Sequence, residues 1–260
     1  MKNCDILLSL LEKNNVLTAK HTEIMRVPFP SEKYTGFQGG CSDGERYYYQ
    51  VLMHYEMSDR SKDYCCIAKI DLESKTVVKY SEAMSLDHAN DIAYHKGKGQ
   101  LILVNNKPHP NRITFIDPET LTVTEQKEIE IPIYALEYNE SRGLYLAGVS
   151  GAKEFCFLDS DFKVFDGRTY RTTVETDRCV KQGASADDNL LYFILFDGKF
   201  KNSPDFQNRI AIYDWNGNSR GCLNFDLGYC EPENLSIVGG DIIAVCGLDN
   251  PILYKLTPEE

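Results

Sequence analysis

The chain has 260 residues, 42% of them hydrophobic, which is ample for a sizeable core and unlike a disordered segment. Its formal net charge of −11 at pH 7 excludes a nucleic-acid binder and an anionic-membrane binder, both of which need a basic face. Nine cysteines without a Cys-x-x-Cys pair, several in apolar strand contexts such as Phe155-Cys156-Phe157, point to reduced, buried thiols in a cytoplasmic protein.

The first segment, Asp5 to Asn14, predicts a short helix lying on the rest of the fold. It lacks the basic start and the cleavage site of a signal peptide. No stretch reaches the ~18 apolar residues of a membrane span. Thr22 to Val27 alternates polar and apolar, as a strand does. From there two signals repeat along the chain. One is a hairpin turn that opens on aspartate, at Asp71, Asp117, Asp159 and Asp214, 42 to 55 residues apart. Aspartate suits such turns because its carboxylate accepts from the turn's own amides. The other is a polar residue that leads a small or apolar run, a turn and an aliphatic or aromatic strand. Its leaders are Gln38, Asn90, Tyr134, Gln182 and Glu233, 44 to 52 residues apart.

Two interleaved repeats of this period predict an all-β fold, a five-bladed β-propeller with four-stranded antiparallel blades. A single domain over 1–260 follows, with the N-terminal helix and strand in 1–32. The blades fall near 33–84, 85–130, 131–176, 177–228 and 229–260. The last has only three strands of its own (the third being Pro251 to Leu256), so the strand within 20–28 completes it and removes an open edge.

A propeller gathers the starts of its inner strands around a central channel. Gln38, Asn90, Tyr134, Gln182 and Glu233 therefore form the expected ring at the channel mouth, with His88, Asp91, Glu231 and Asn234 beside it. Second-to-third-strand loops add His54, Asn105, Asn106, Lys107, His109, Lys153, Asp197, Lys199, Asp249 and Asn250. Such a ring binds a small polar molecule, a sugar or an amino-acid derivative, or else holds only water. Glu233 and Asp91 are the catalytic candidates, because acid–base chemistry on a sugar needs two carboxylates from separate strands; Glu137 is a third. His88, Asp91, Glu231 and Glu233 would together suit Ca²⁺ or Mn²⁺. Neither Gly-x-Ser-x-Gly nor a phosphate-binding glycine loop is present.

The run Thr35-Gly36-Phe37-Gln38-Gly39-Gly40, the tyrosine-rich strand after it, and Lys69-Ile70-Asp71-Leu72-Glu73 resemble the first blade of the plant-type glutaminyl cyclases. Glu231-Pro232-Glu233-Asn234-Leu235 is similar to that family's Asn-Glu-Leu-Glu segment. The resemblance implies a five-bladed propeller and a cyclisation assisted by Gln38 and Glu233. Those enzymes line the channel with several tryptophans, whereas Trp215 is the only one here and sits in a hairpin turn. Propellers of bacterial type and unassigned role share the His-Ala-Asn-Asp and Gln-Gly strand starts. The expectations are thus a monomeric ligand-binding propeller first, a hydrolase or cyclase using channel carboxylates or a divalent cation second, and a protein-interaction scaffold third.

Overall fold

The computed structural model describes residues 2–59, 62–173, 179–196, 208–247 and 250–259. Helix α1 (Asn3–Leu11) is followed by β1 (Val16–Arg26). Blade one is β2 (Gly36–Ser42), β3 (Tyr47–His54), β4 (Tyr64–Asp71) and β5 (Thr76–Tyr80). Blade two is β6 (Asp91–His95), β7 (Gln100–Asn106), β8 (His109–Ile116) and β9 (Val123–Glu128). Blade three is β10 (Ile133–Asn139), β11 (Leu144–Val149), β12 (Glu154–Leu158) and β13 (Val164–Arg171). Blade four is β14 (Val180–Ala186), β15 (Leu190–Phe196), β16 (Asn208–Asp214) and β17 (Ser219–Phe225). Blade five is β18 (Glu231–Val238), β19 (Asp241–Gly247), β20 (Ile252–Glu259) and, outermost, β1. Each inner strand lies beside the next, and β18 returns to β2, so the ring closes.

The aspartate turns form as the sequence predicts. Asp71 Oδ1 accepts from the N–H of Glu73 and Ser74, and Asp117 Oδ1 from Glu119 and Thr120. Asp159 Oδ1 accepts from Asp161 and Lys163, and Asp214 Oδ1 from Asn216 and Asn218. Each joins the third and fourth strands of its blade.

The closing strand is longer than predicted. It starts at Val16, because its first half has a second partner. Val16–Ala19 run parallel to Cys222–Phe225 of β17, while Thr18–Arg26 run antiparallel to β20. One strand thus finishes blade five and stitches it to the outer edge of blade four. Leu17 and Ala19 are buried there, with Leu7, Leu10 and Leu11 of α1 in the same cluster. The helix's apolar side covers this seam, which is why so short a helix holds its place. None of the helices among the described residues is long and apolar enough to cross a membrane.

Candidate functional site

Five inner strands converge on the channel, and four of them carry a register shift at the predicted leader. The shifts lie between Phe37 and Gly40, Ile133 and Ala135, Lys181 and Ala184, and Pro232 and Asn234. A bulge inserts one unpaired residue and re-aims its side chain. Gln38, Tyr134, Gln182 and Glu233 are those residues, but they are not all aimed alike.

The channel mouth is a cavity of about 350 Å³ lined by Gly36, Phe37, Gln38, Tyr55, His88, Gln182, Glu231, Glu233 and Gly247. Gln38 Nε2 donates to the Tyr55 hydroxyl at 2.9 Å, and the Tyr55 ring stacks on His88 at 6.3 Å. His88 sits between two residues in the left-handed region, Asp87 (φ 59°) and Ala89 (φ 48°). Alanine rarely accepts that conformation. It is held by the His88 N–H donating to the Lys107 carbonyl and the Ala89 N–H to that of Asn105, both at 3.1 Å. Strain of this kind collects where a side chain must be presented in one direction.

Opposite lie two carboxylates. Gln182 Nε2 donates to Glu231 Oε1 at 2.6 Å. The Glu233 carboxyl has no hydrogen-bond partner among the described residues. Burial pushes its pKa well above the usual carboxylate range, and the neighbouring charge of Glu231 pushes it further. Burial also raises Glu231, against the pull of Gln182.

Of the nine residues expected at this mouth, five line it: Gln38, His88, Gln182, Glu231 and Glu233. The other four are corrected by the geometry. Asn90 Nδ2 donates to the Tyr134 carbonyl at 2.7 Å and its Oδ1 accepts from Asn106, so it ties blade two to blade three. The Tyr134 ring lies over Gly148 and packs with the cluster between blades three and four. Asp91 and Asn234 stand one step further along their strands, each 1% exposed and bonded to neighbouring blades. Asp91 Oδ1 accepts from the Ile92 N–H at 2.9 Å and Oδ2 from the Leu136 N–H at 3.1 Å. The Ala184 amide, in blade four, bonds the same carboxyl. Asn234 mirrors it in blade five: its Oδ1 accepts from the Leu235 N–H at 2.7 Å, and its Nδ2 donates to the Gly40 carbonyl of blade one. Glycine is required beside both. A Cβ on Gly39 would lie 2.4 Å from Asp91 Cα, and one on Gly183 2.4 Å from Asn234 Oδ1.

A cavity of about 550 Å³ lies on the opposite face, lined by Glu137, Asp43, Lys96, Glu140, Asp187 and residues of α1 among others. Glu233, Asp91 and Glu137 therefore belong to three levels: the mouth, the joins between blades and the far cavity. Burial pushes the Glu137 carboxyl up, and the charge of Asp91 pushes it further. The quartet of His88, Asp91, Glu231 and Glu233 does not gather, since Asp91 faces its amides; among the described residues no group of three or more such side chains could hold a metal ion.

The loop candidates scatter. His54 stacks on Tyr64 at 4.4 Å, and His109 bonds Asp87, which also accepts from Asn105. Asn250 lines a small cavity beside Arg26. Asn106, Lys107 and Lys153 line a cleft of their own beside the mouth. Asp197, Lys199 and Asp249 lie outside the described residues. Sequence reasoning missed Tyr55 at the mouth; its only signal was its place just after the second strand of blade one.

No protein-family model matches the chain, and no curated protein sequence does. Among solved structures, it is similar to a glutaminyl cyclase of Myxococcus xanthus, with a TM-score of 0.64 and 11% identity over 94% of this chain and 99% of that one. It is also similar to the tail fibre of Staphylococcus aureus phage P68, with a TM-score of 0.62 and 11% identity over 92% of this chain and 53% of that one. At such identity the likeness is one of fold: this chain is a β-propeller, as is the cyclase.

Proposed function

We propose that the protein binds a small polar molecule at the channel mouth, with donor groups of the ligand meeting Glu233. One observation carries this. Glu233 is half-buried at the mouth and has no protein hydrogen-bond partner among the described residues, while its neighbours Glu231, Gln182 and Gln38 are each held by one. A carboxyl that faces a cavity and is not taken by a protein donor is left for a ligand to meet. A cavity of about 350 Å³ suits one sugar ring or one amino-acid derivative. The strained backbone around His88 supports the same reading.

Catalysis is the second reading, favoured by the raised pKa of Glu233 beside Glu231. A carboxyl that keeps its proton towards neutral pH can lend it to a leaving group and take it back. In a cyclisation of an N-terminal glutaminyl residue, the amine would attack the side-chain amide carbon and ammonia would depart, with Glu233 carrying the proton.

A thermal-shift screen of sugars and amino-acid derivatives tests the first reading. At least one compound should stabilise the wild type and lose most of that effect with Glu233→Gln. A hit that stabilises Glu233→Gln and Gln38→Ala as well as the wild type would sink it. Ammonia release from a glutaminyl peptide, absent in Glu233→Gln, tests the second.

A further inference from the structure

A second cleft opens on the mouth's face of the ring, between blades two, three and four. It has a volume of about 420 Å³ and is lined by Lys107, Lys153 and Lys181, with Tyr134, Asn106 and Ser150. Among the described residues that line it there are three lysines and neither Asp nor Glu. In a chain of 39 acidic against 28 basic residues, that concentration of positive charge is the reverse of the average.

The cleft is also built. Thr172 donates from its N–H and its hydroxyl to the Lys153 carbonyl, at 2.9 and 3.1 Å, and accepts from Lys181 Nζ at 3.1 Å. Thr172 therefore fixes the backbone of one lysine and the ammonium of another. The carbonyl of Lys107 accepts from the His88 N–H, which ties this wall to the channel mouth. Asn106, the residue before it, is held in the left-handed region at φ 59°. At the floor is Tyr134, only 7% exposed, whose hydroxyl is buried with no hydrogen-bond partner among the described residues. A buried phenol without an acceptor is a donor waiting for one.

We propose that this cleft binds the oxyanion group, phosphate or carboxylate, of a small molecule, with the three ammonium groups around the anion and the Tyr134 hydroxyl donating to it. Charge-assisted hydrogen bonds from lysines to such an oxyanion are the chemistry the cleft offers. It does not depend on what occupies the mouth, because the two cavities share no lining residue; their linings touch through the consecutive Lys181 and Gln182 of β14 and the bond from His88 to Lys107.

The test uses inorganic phosphate and citrate as probes on the full chain. Melting temperature is followed from 0 to about 20 mM of each, against sodium chloride at matched ionic strength, which removes general screening. One probe or both should raise the melting temperature saturably where chloride does not, and the better probe names the oxyanion. K107A should weaken the apparent affinity several-fold, and the triple variant K107A/K153A/K181A at least tenfold. Tyr134→Phe should bind at least threefold more weakly while its unliganded melting temperature does not fall. Glu233→Gln should bind phosphate as the wild type does, which separates this site from the one at the mouth. Equal shifts with chloride, a triple variant that responds like the wild type, or unchanged affinity in Tyr134→Phe would each overturn the proposal.

Discussion

Gln182 donates to Glu231 at 2.6 Å across the join of blades four and five, and so fixes one carboxylate of a pair whose other member, Glu233, has no such partner among the described residues. The two acids differ in environment although they stand two residues apart on one strand. Glu233 then has a linkage consequence. Its folded pKa lies above the ordinary 4.5, so the folded state holds a proton that the unfolded state has released. Stability from this group is full below pH 4.5 and is lost as pH rises through the folded value. Glu233→Gln removes that loss. Its melting temperature should exceed the wild type's by a few degrees at pH 8, with the gain shrinking to nothing near pH 4.5. Calorimetric scans at four pH values check it.

Asp91 should matter to stability rather than to chemistry. Three backbone amides from blades two, three and four depend on its carboxylate. Asp91→Ala leaves them buried and unmet, at a cost of about 1–3 kcal/mol for each bond lost. Urea denaturation should show a loss of at least ~3 kcal/mol. Asp91→Asn, which turns an amide towards one of those N–H groups, should lose about 2 kcal/mol by the same reasoning. Ligand affinity at the mouth, measured on folded protein, should stay within a factor of a few.

The seam between blades four and five rests on β1. Leu17 is 3% exposed and packs with the helix and both blades. Leu17→Ala should cost about 2–5 kcal/mol, the range for emptying a buried leucine site. Denaturation curves measure it. Amide exchange in β20 and β17 should accelerate together, because one strand protects both.

Cys230 should be the most reactive of the buried thiols. A hydrogen bond with Cys246 lowers its pKa below 9.0, although burial opposes this. Burial raises Cys66 to about 11 and Cys156 to about 12, and pushes Cys41 and Cys65 up as well. Thiolate, not thiol, attacks. Iodoacetamide at pH 7.5 followed by peptide mass spectrometry should label Cys230 before those four, and Cys246→Ala should slow it.

The blades were legible because their signals are local. An aspartate and the amides two to four residues on make each outer turn, whatever surrounds them. The second partner of β1 was not legible. Cys222–Phe225 lie some two hundred residues away, and four alternating residues do not name a partner at that distance. At the site, three of the five leaders, Gln38, Gln182 and Glu233, line the mouth cavity, while Asn90 and Tyr134 are turned to the joins between blades. Gln182 and Tyr134 both sit in bulges, yet one faces the mouth and the other packs between blades. A bulge turns a side chain by an amount set by the facing strand's register, which is not written in the bulged residue. Asp91 read as a candidate acid because it is a carboxylate near the ring. Only the amides of Leu136 and Ala184 reveal it as a strut.

That strut has a further meaning for the ring as a whole. With Asp91 bonded to blades two to four, and Asn234 to blades five and one, two side chains between them fasten all five blades.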